Sequence, residues 1–296
     1  MNSMSAPQPT PPVKPRKSRA RNLPWLVLGV SLSLTLVGWW QVRQQVHRAE
    51  RARFDRLTER VTTILRSRID SAAQTVAGAR ALVEASDNVS RQEWATFVFS
   101  IQDYVESGVV GLGYVERVRR PDLMAFEARV RAEWGGSFTV EREGNNEWLY
   151  VVTRIEPMET NAGALGRDIG SGTTRRTAAE QAMRTNELVL TRRISVINAG
   201  GRIPGFLLLA PVYQNNRPLA TTEDRTTALR GWVYASLRID ALFEGIVHST
   251  EEQVDFEVFE GAETTMDHLL FDADGHLGSA AVPRAVVQTD FADRTF

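Results

Sequence analysis

The chain has 296 residues, 43% hydrophobic and 24% charged, and a formal net charge of -1. These are the proportions of a packed globular protein, and the charge balance gives no reason to expect nucleic acid as a partner. The absence of cysteine excludes disulfides, thiolate metal sites and cysteine nucleophiles.

Lys14, Arg16, Lys17, Arg19 and Arg21 all precede the first acidic residue, Glu50, so a basic tail sits on a mildly acidic body. That asymmetry suits a membrane flank. Residues 1–21, rich in Pro, Lys and Arg, read as a disordered cytoplasmic tail. Residues 22–42 carry no charge and are bracketed by Arg21 and Arg43. A helix of that length spans roughly 30 Å, the hydrocarbon thickness of a bilayer. Trp39 and Trp40 stand at one end, where indoles favour the interface, and Pro24 falls in the first turn. No small-x-small cleavage pattern follows, so the segment reads as a retained transmembrane anchor. The basic flank places the N-terminus in the cytoplasm and everything after residue 42 outside.

Residues 43–85 contain no Pro, and apolar positions recur every three or four residues at Phe54, Leu57, Val61, Leu65, Ile69, Ala72, Val76, Ala79 and Val83. This is a long stalk helix with one apolar face. The face either meets a second copy as a coiled coil, giving a homodimer, or packs on the chain's own domain. Ser90-Arg-Gln-Glu93 is a capping box opening a helix that carries Trp94, Phe97, Val98, Ile101 and Val105. Residues 109–115 read as a buried strand with close backbone approach at Gly111 and Gly113. Pro121 opens a further helix. Strands are expected at 138–140, 148–155, 188–190, 194–197, 205–213 and 229–237. Helices are expected from the turn at 170–174 through Met183 and over 240–247. Val254, Phe256 and Val258 alternate, and Leu269-Leu-Phe271 leads into a turn at Asp272-Ala-Asp274-Gly275, the start of a second, smaller sheet. The pattern is α+β: a long helix, then antiparallel sheets with helices packed on them. The chain stops without closing that second sheet, which reads as a fragment of a longer receptor or a truncated product.

Several chemical motifs fail on spacing. The Asp272–Gly275 turn lacks the fifth-position Asp of a calcium loop and its Gly falls too early, and Gly111-Leu-Gly113 lacks the third glycine and the following helix of a dinucleotide site. No two of the four histidines stand at i, i+4, and there is no Gly-x-Ser-x-Gly elbow or Walker loop. No catalytic constellation, metal site or cofactor is expected. The stretch 149–213 holds the polar residues of interest. Asp168 precedes a polar turn at a helix start, so its carboxylate either caps that helix or points into a pocket. Arg175 and Arg176 lie in the first turn, the unfavourable end of the helix dipole for a cation. They are expected to pair with an acidic partner or with a carboxylate such as Glu156 or Asp168.

The ordered set Leu165-Gly-Arg-Asp168, Arg175-Arg176, the helix through Met183, Leu188-Val-Leu-Thr191, Gly205–Tyr213 and Leu229-Arg-Gly-Trp-Val-Tyr-Ala235 resembles the CHASE family. These are extracellular sensor domains of bacterial histidine kinases and cyclases and of plant cytokinin receptors. The resemblance runs from about Phe54 to Val247. It implies tandem PAS-like antiparallel-sheet domains: a complete membrane-distal one over 86–237 and a partial membrane-proximal one over 238–296. It also implies the inner membrane of a bacterium, a small-molecule ligand of which an adenine-like compound is one candidate, and an output domain not present in this chain. In the cytokinin receptors a pocket Asp contacts the adenine ring. Asp168 sits at the matching place, and Leu190 matches a residue whose backbone faces that ligand. The ligand-binding candidates are Asp168, Leu190, Thr191, Arg175 and Tyr150. The sequence departs from the plant pattern around 169–176. A sensor of a periplasmic partner protein and a membrane-tethered enzyme are the alternative functions.

Overall fold

The computed structural model describes residues 23–86, 88–101, 108–134, 136–198, 201–243, 246, 256–273, 287–288, 290–291 and 294–295. The basic tail, Val105, Val254, the Asp274-Gly275 end of the expected turn and most of 244–247 lie outside them. Helix α1 (Leu23–Ala85) runs unbroken for 63 residues. The chain divides into two compact units, Met1–Arg56 and Leu57–Phe296.

In the first unit the apolar side chains from Trp25 to Val42 are exposed, and the helix is long and apolar enough to cross a membrane. The hydroxyls of Ser31, Ser33 and Thr35 donate to the carbonyls of Val27, Gly29 and Ser31, four residues back. That leaves no hydroxyl of the three without a partner in an apolar surrounding.

The second unit is built on a six-stranded antiparallel sheet. Its strands are β1 (Val109–Arg119), β2 (Trp148–Glu156), β3 (Val189–Leu190), β4 (Ile194–Asn198), β5 (Gly201–Tyr213) and β6 (Leu229–Arg238). The order is β2-β1-β6-β5-β3, with β4 paired to β5. Both faces of the sheet are covered, which explains why β5 and β6 read as nearly continuous apolar runs instead of alternating ones. On one face Phe206, Leu208, Ala210, Val212, Val233, Ala235 and Leu237 meet Leu65, Ile69, Ala72, Val76, Ala79 and Val83 of α1, with Trp94 and Val98 of α2 (Arg91–Ser100). From Leu65 onward the α1 stripe is therefore used within the chain itself. On the other face Leu207, Leu209, Tyr213, Trp232 and Tyr234 meet Ala178, Ala179, Ala182 and Met183 of α5 (Thr173–Thr185). The intervening helices are α3 (Leu123–Trp134) and α4 (Met158–Asn161).

The capping box forms as expected: Glu93 N–H donates to Ser90 Oγ at 3.2 Å, and Ser90 N–H to Glu93 Oε2 at 2.8 Å. Pro121 lies in a 3-10 turn that precedes α3. Two expectations need correction. Residues 138–140 are not a strand. Their backbone is bonded elsewhere: Val140 N–H donates to the buried Glu127 Oε1, while Phe138 and Val140 fill a third core cluster with Phe126 and Val130 of α3. A second capping box, Thr221 with Asp224, starts an unforeseen helix α6 (Thr222–Ala228) between β5 and β6. After β6 come α7 (Ile239–Phe243) and a two-stranded sheet of β7 (Glu257–Phe259) and β8 (Leu269–Asp272). Phe256, Val258, Leu270 and Phe271 pack on the same core cluster as α1, so these residues belong to the one compact unit. A short pair, β9 (Asp290–Phe291) and β10 (Arg294–Thr295), follows.

Candidate functional site

The edge of the sheet at β2 would leave backbone N–H groups unpaired, and the loop before α5 covers it. Val152 N–H donates to Arg167 O at 3.0 Å, and Gly166 N–H returns a bond to Val152 O at 2.9 Å. Gly166 has φ +77°, and a Cβ there would collide with Thr139 O, so the chain can turn here only with glycine. The next donor along β2, Tyr150 N–H, is taken by a side chain: it donates to Asp168 Oδ1 at 2.8 Å. Gly170 N–H donates to the same oxygen at 2.8 Å. Asp168 thus caps the 3-10 turn Ile169–Ser171, not α5, whose N-cap is Gly172.

One carboxylate oxygen is therefore fully used. The other, Oδ2, is buried with no hydrogen-bond partner among the described residues, in a residue only 5% exposed. Burial pushes the Asp168 carboxyl above its ordinary range, against the pull of the Tyr150 and Gly170 amides and, more weakly, of Arg176 and Arg120.

Asp168 lines a cavity of about 140 Å³ on the α5 face of the sheet. Val152 and Ile155 of β2, Leu207 of β5 and Tyr234 and Ser236 of β6 supply its floor, and β4 closes one side. Tyr234 sits against Gly113, where a Cβ would come within 2.5 Å of the ring, which is the close approach expected of that glycine. The rim is charged: Arg167, Arg175 and Arg202, with Glu141 and Glu143. Arg167 and Glu141 pair at 3.1 Å. Arg175 donates to Ser195 O at 2.5 Å, and its side chain is pushed below its ordinary pKa by burial first and then by Arg202 and Arg167.

Of the five candidate residues, the structure brings two, Asp168 and Arg175, into this cavity. Tyr150 adjoins Asp168: its ring meets Trp232 at a tilt, centroids 4.5 Å apart, with Arg176 over its face, its hydroxyl donates to Glu180, and burial raises that hydroxyl to about 12. Leu190 faces the opposite side of the sheet, in the core shared with α1. Thr191 is 1% exposed, and its Oγ1 accepts from Leu207 N–H at 3.0 Å, so it holds the backbone of a lining residue. Among the described residues neither arginine forms an ion pair with Glu156 or Asp168, and the carboxylate that Arg176 finds is Glu180. Arg176 donates to the carbonyls of Gly170 and Trp148 and pairs with Glu180 on its own helix. Both guanidinium forks reach loop and strand carbonyls that the N-terminal end of α5 leaves close at hand.

Sequence reasoning missed Arg202, Tyr234 and Ser236. The period-2 alternation of β6 places Tyr234 and Ser236 on one face, and that signal was available; nothing local marks Arg202. Among the described residues no group of three or more His, Asp or Glu could hold a metal ion.

The unit is thus a mixed helix and antiparallel-sheet domain with a charged-rimmed cavity on one face of its sheet. The CHASE domain model matches residues 87–271, well over half of the chain, and the chain belongs to the CHASE-domain family. The domain is sensory and not catalytic. Among solved structures, the ligand-binding domain of the Pseudomonas aeruginosa PAO1 amino-acid chemoreceptor PctC, in complex with GABA, is 12% identical. That match covers 79% of this chain and 85% of the other, with a TM-score of 0.42. A methyl-accepting chemotaxis protein X is also 12% identical, with 75% of this chain and 78% of that one covered and a TM-score of 0.43. A search of curated proteins returns no match.

Proposed function

We propose that this chain is the membrane-anchored, ligand-binding front end of a bacterial transmembrane receptor. Its N-terminus is cytoplasmic, the residues after 42 lie outside the inner membrane, and the cavity at Asp168 receives a small molecule. The receptor works as a homodimer through its stalk, and its output is a histidine kinase or a diguanylate cyclase.

What supports this reading above all is the cavity itself, with a buried carboxylate oxygen that the fold leaves unpartnered. A polar group in such a place costs free energy unless something binds it. The strands that floor the cavity are also those that carry α1. In β5, Leu207 lines the cavity while Phe206 and Leu208 pack toward α1; in β6, Tyr234 and Ser236 line it while Val233 and Ala235 do the same. A shift of these strands is therefore felt by the helix. Arg68 of α1 adds a second link, donating to the carbonyls of Ala241 and Leu242 just after β6. A ligand biases such a coupled unit only through its differential affinity for two arrangements.

The test is thermal unfolding of the full chain in lipid nanodiscs against a broad panel of metabolites. At a hundredfold excess over Kd a true ligand stabilises by about 2.7 kcal/mol. The variant Ala164→Trp, which fills the cavity, should abolish that response. A panel without a single saturable stabiliser, or stabilisers indifferent to Ala164→Trp, would refute the reading.

A further inference from the structure

The cavity is lined by a carboxylate, Asp168, and by three arginines, none of which forms an ion pair with it among the described residues. Asp168 has Oδ1 committed to two backbone amides and Oδ2 buried without a hydrogen-bond partner among the described residues. The cations that bear on it are Arg176 and Arg120, and Arg175 is not among them. Arg175, Arg202 and Arg167 all line the cavity, and the latter two bear on Arg175. The groups that shift Arg175 are burial, two other arginines and Tyr234, with no carboxylate. Glu141 is taken by Arg167. Glu143 is exposed, and neither it nor the Arg202 side chain makes an ion pair among the described residues. Arg175 spends one N–H on Ser195 O, which leaves most of its five donors for another acceptor.

Cation crowding of this kind is relieved by an anion, and guanidinium groups bind carboxylates with two parallel bonds. The unpartnered carboxylate oxygen is relieved by an N–H donor, best a charged one. The space is small: about 140 Å³, room for about five water volumes and well below the roughly 300 Å³ of a drug-sized pocket. Its walls are mixed, with Val152, Ile155 and Leu207 beside Ser236 and Tyr234, which suits a short aliphatic spacer.

We infer that the cavity binds a compact dipolar molecule, its cationic amine on the Asp168 carboxylate and its own carboxylate, or a comparable anion, on Arg175 and Arg202. This rests on the sensor reading above and specifies the ligand class of the same site. An uncharged planar base would serve Asp168 alone and leave the arginines without an anion.

The experiment titrates the full chain in nanodiscs, by calorimetry and thermal unfolding, with three sets of probes. The dipolar set is glycine, β-alanine and 5-aminopentanoate; the single-charge set is propionate and propylamine; the neutral probe is adenine. At least one dipolar compound should bind saturably, with each single-charge compound and adenine at least about tenfold weaker, the ratio expected when one charge-assisted contact is lost. Asp168→Asn keeps an Oδ1 acceptor for both amides while removing the charge, and Arg202→Gln lies on an exposed position of β5. Each should weaken the dipolar compound by about tenfold or more. The inference is overturned if propionate alone binds as tightly as the dipolar set, if Asp168→Asn leaves affinity unchanged, or if none of the dipolar compounds binds. Tight adenine binding that Ala164→Trp abolishes, without dipolar binding, would sink this inference and leave the sensor reading standing. Silence from every probe and from the broad metabolite panel would remove both.

Discussion

Replacing Asp168 by Ala removes the one oxygen that accepts from Tyr150 N–H and Gly170 N–H, both at 2.8 Å and both in buried residues. Among the described residues Asp168 Oδ1 is the acceptor recorded for both N–H groups. Each orphaned buried donor costs about 1–3 kcal/mol, and relief from holding a buried carboxylate offsets part of the sum, leaving a net loss of about 2–4 kcal/mol. For a unit of this size that is a fall in melting temperature of about 4–16 °C. Asp168→Asn retains the acceptor and should match or exceed wild-type stability at neutral pH. Tryptophan fluorescence melts of the full chain in nanodiscs, run without added ligand, compare the two. If Ala and Asn variants melt together, the carboxylate does not hold the loop onto β2, and the geometry of the cavity mouth argued from it is wrong.

Acid titration separates two buried carboxylates of opposite sign. Asp168 is raised from 3.8, so the folded state holds its proton more tightly than the unfolded one. Wild type therefore loses stability as pH climbs through the folded value, and the melting temperature of Asp168→Asn relative to wild type should rise from pH 3.5 to pH 7. Glu127 behaves oppositely. Burial pushes it up but is outweighed by the Val140 amide and by Arg142 and Arg131, so its net value lies below 4.5 and its stabilisation disappears as pH falls beneath that. Glu127→Ala should cost about 2–4 kcal/mol and flatten that acid limb; an unchanged acid limb would contradict the assignment. It should also weaken ligand binding, because Glu141 N–H in the same segment donates to Gly166 O in the cavity loop. Val76→Asp on α1, at a position with no exposure, forfeits about 1.5–3 kcal/mol of burial and adds an unpaired carboxylate, enough together to rival the whole stability of a domain. It should prevent folding, whereas Met124→Asp, at 78% exposure, should be within about 0.5 kcal/mol of wild type. Circular dichroism of the two purified chains decides, and a folded Val76→Asp would mean that the stripe does not dock on the sheet.

Local rules were enough for much of this chain. The charge-free run before Arg43, the three- and four-residue spacing of apolar positions through Val83, the Ser90–Glu93 capping box and the apolar runs of β5 and β6 each depend on neighbours a few residues away. Each was readable for that reason. The run at 138–140 looks like a strand by composition, yet its amide went to Glu127, thirteen positions back in the chain and adjacent only after folding. Whether the α1 stripe met a second copy or its own sheet was equally open, since an apolar stripe specifies burial and not the surface that buries it. The candidate site shows the same division. Asp168 and Arg175 stood out as a carboxylate and a cation at helix starts, but their relation did not, and the pair expected between them is absent. Arg202 comes from one end of β5, and Tyr234 and Ser236 come from β6. Only the antiparallel register, with Leu208 opposite Ala235 and Gly205 opposite Arg238, carries these positions to the loop that holds Asp168. Sequence by itself determined most of the helices and strands and the long charge-free N-terminal run, because those follow from local spacing and chemistry. The tertiary structure alone decided which charges share a cavity and which oxygen is left unpartnered, because those depend on distances between residues that the chain keeps far apart.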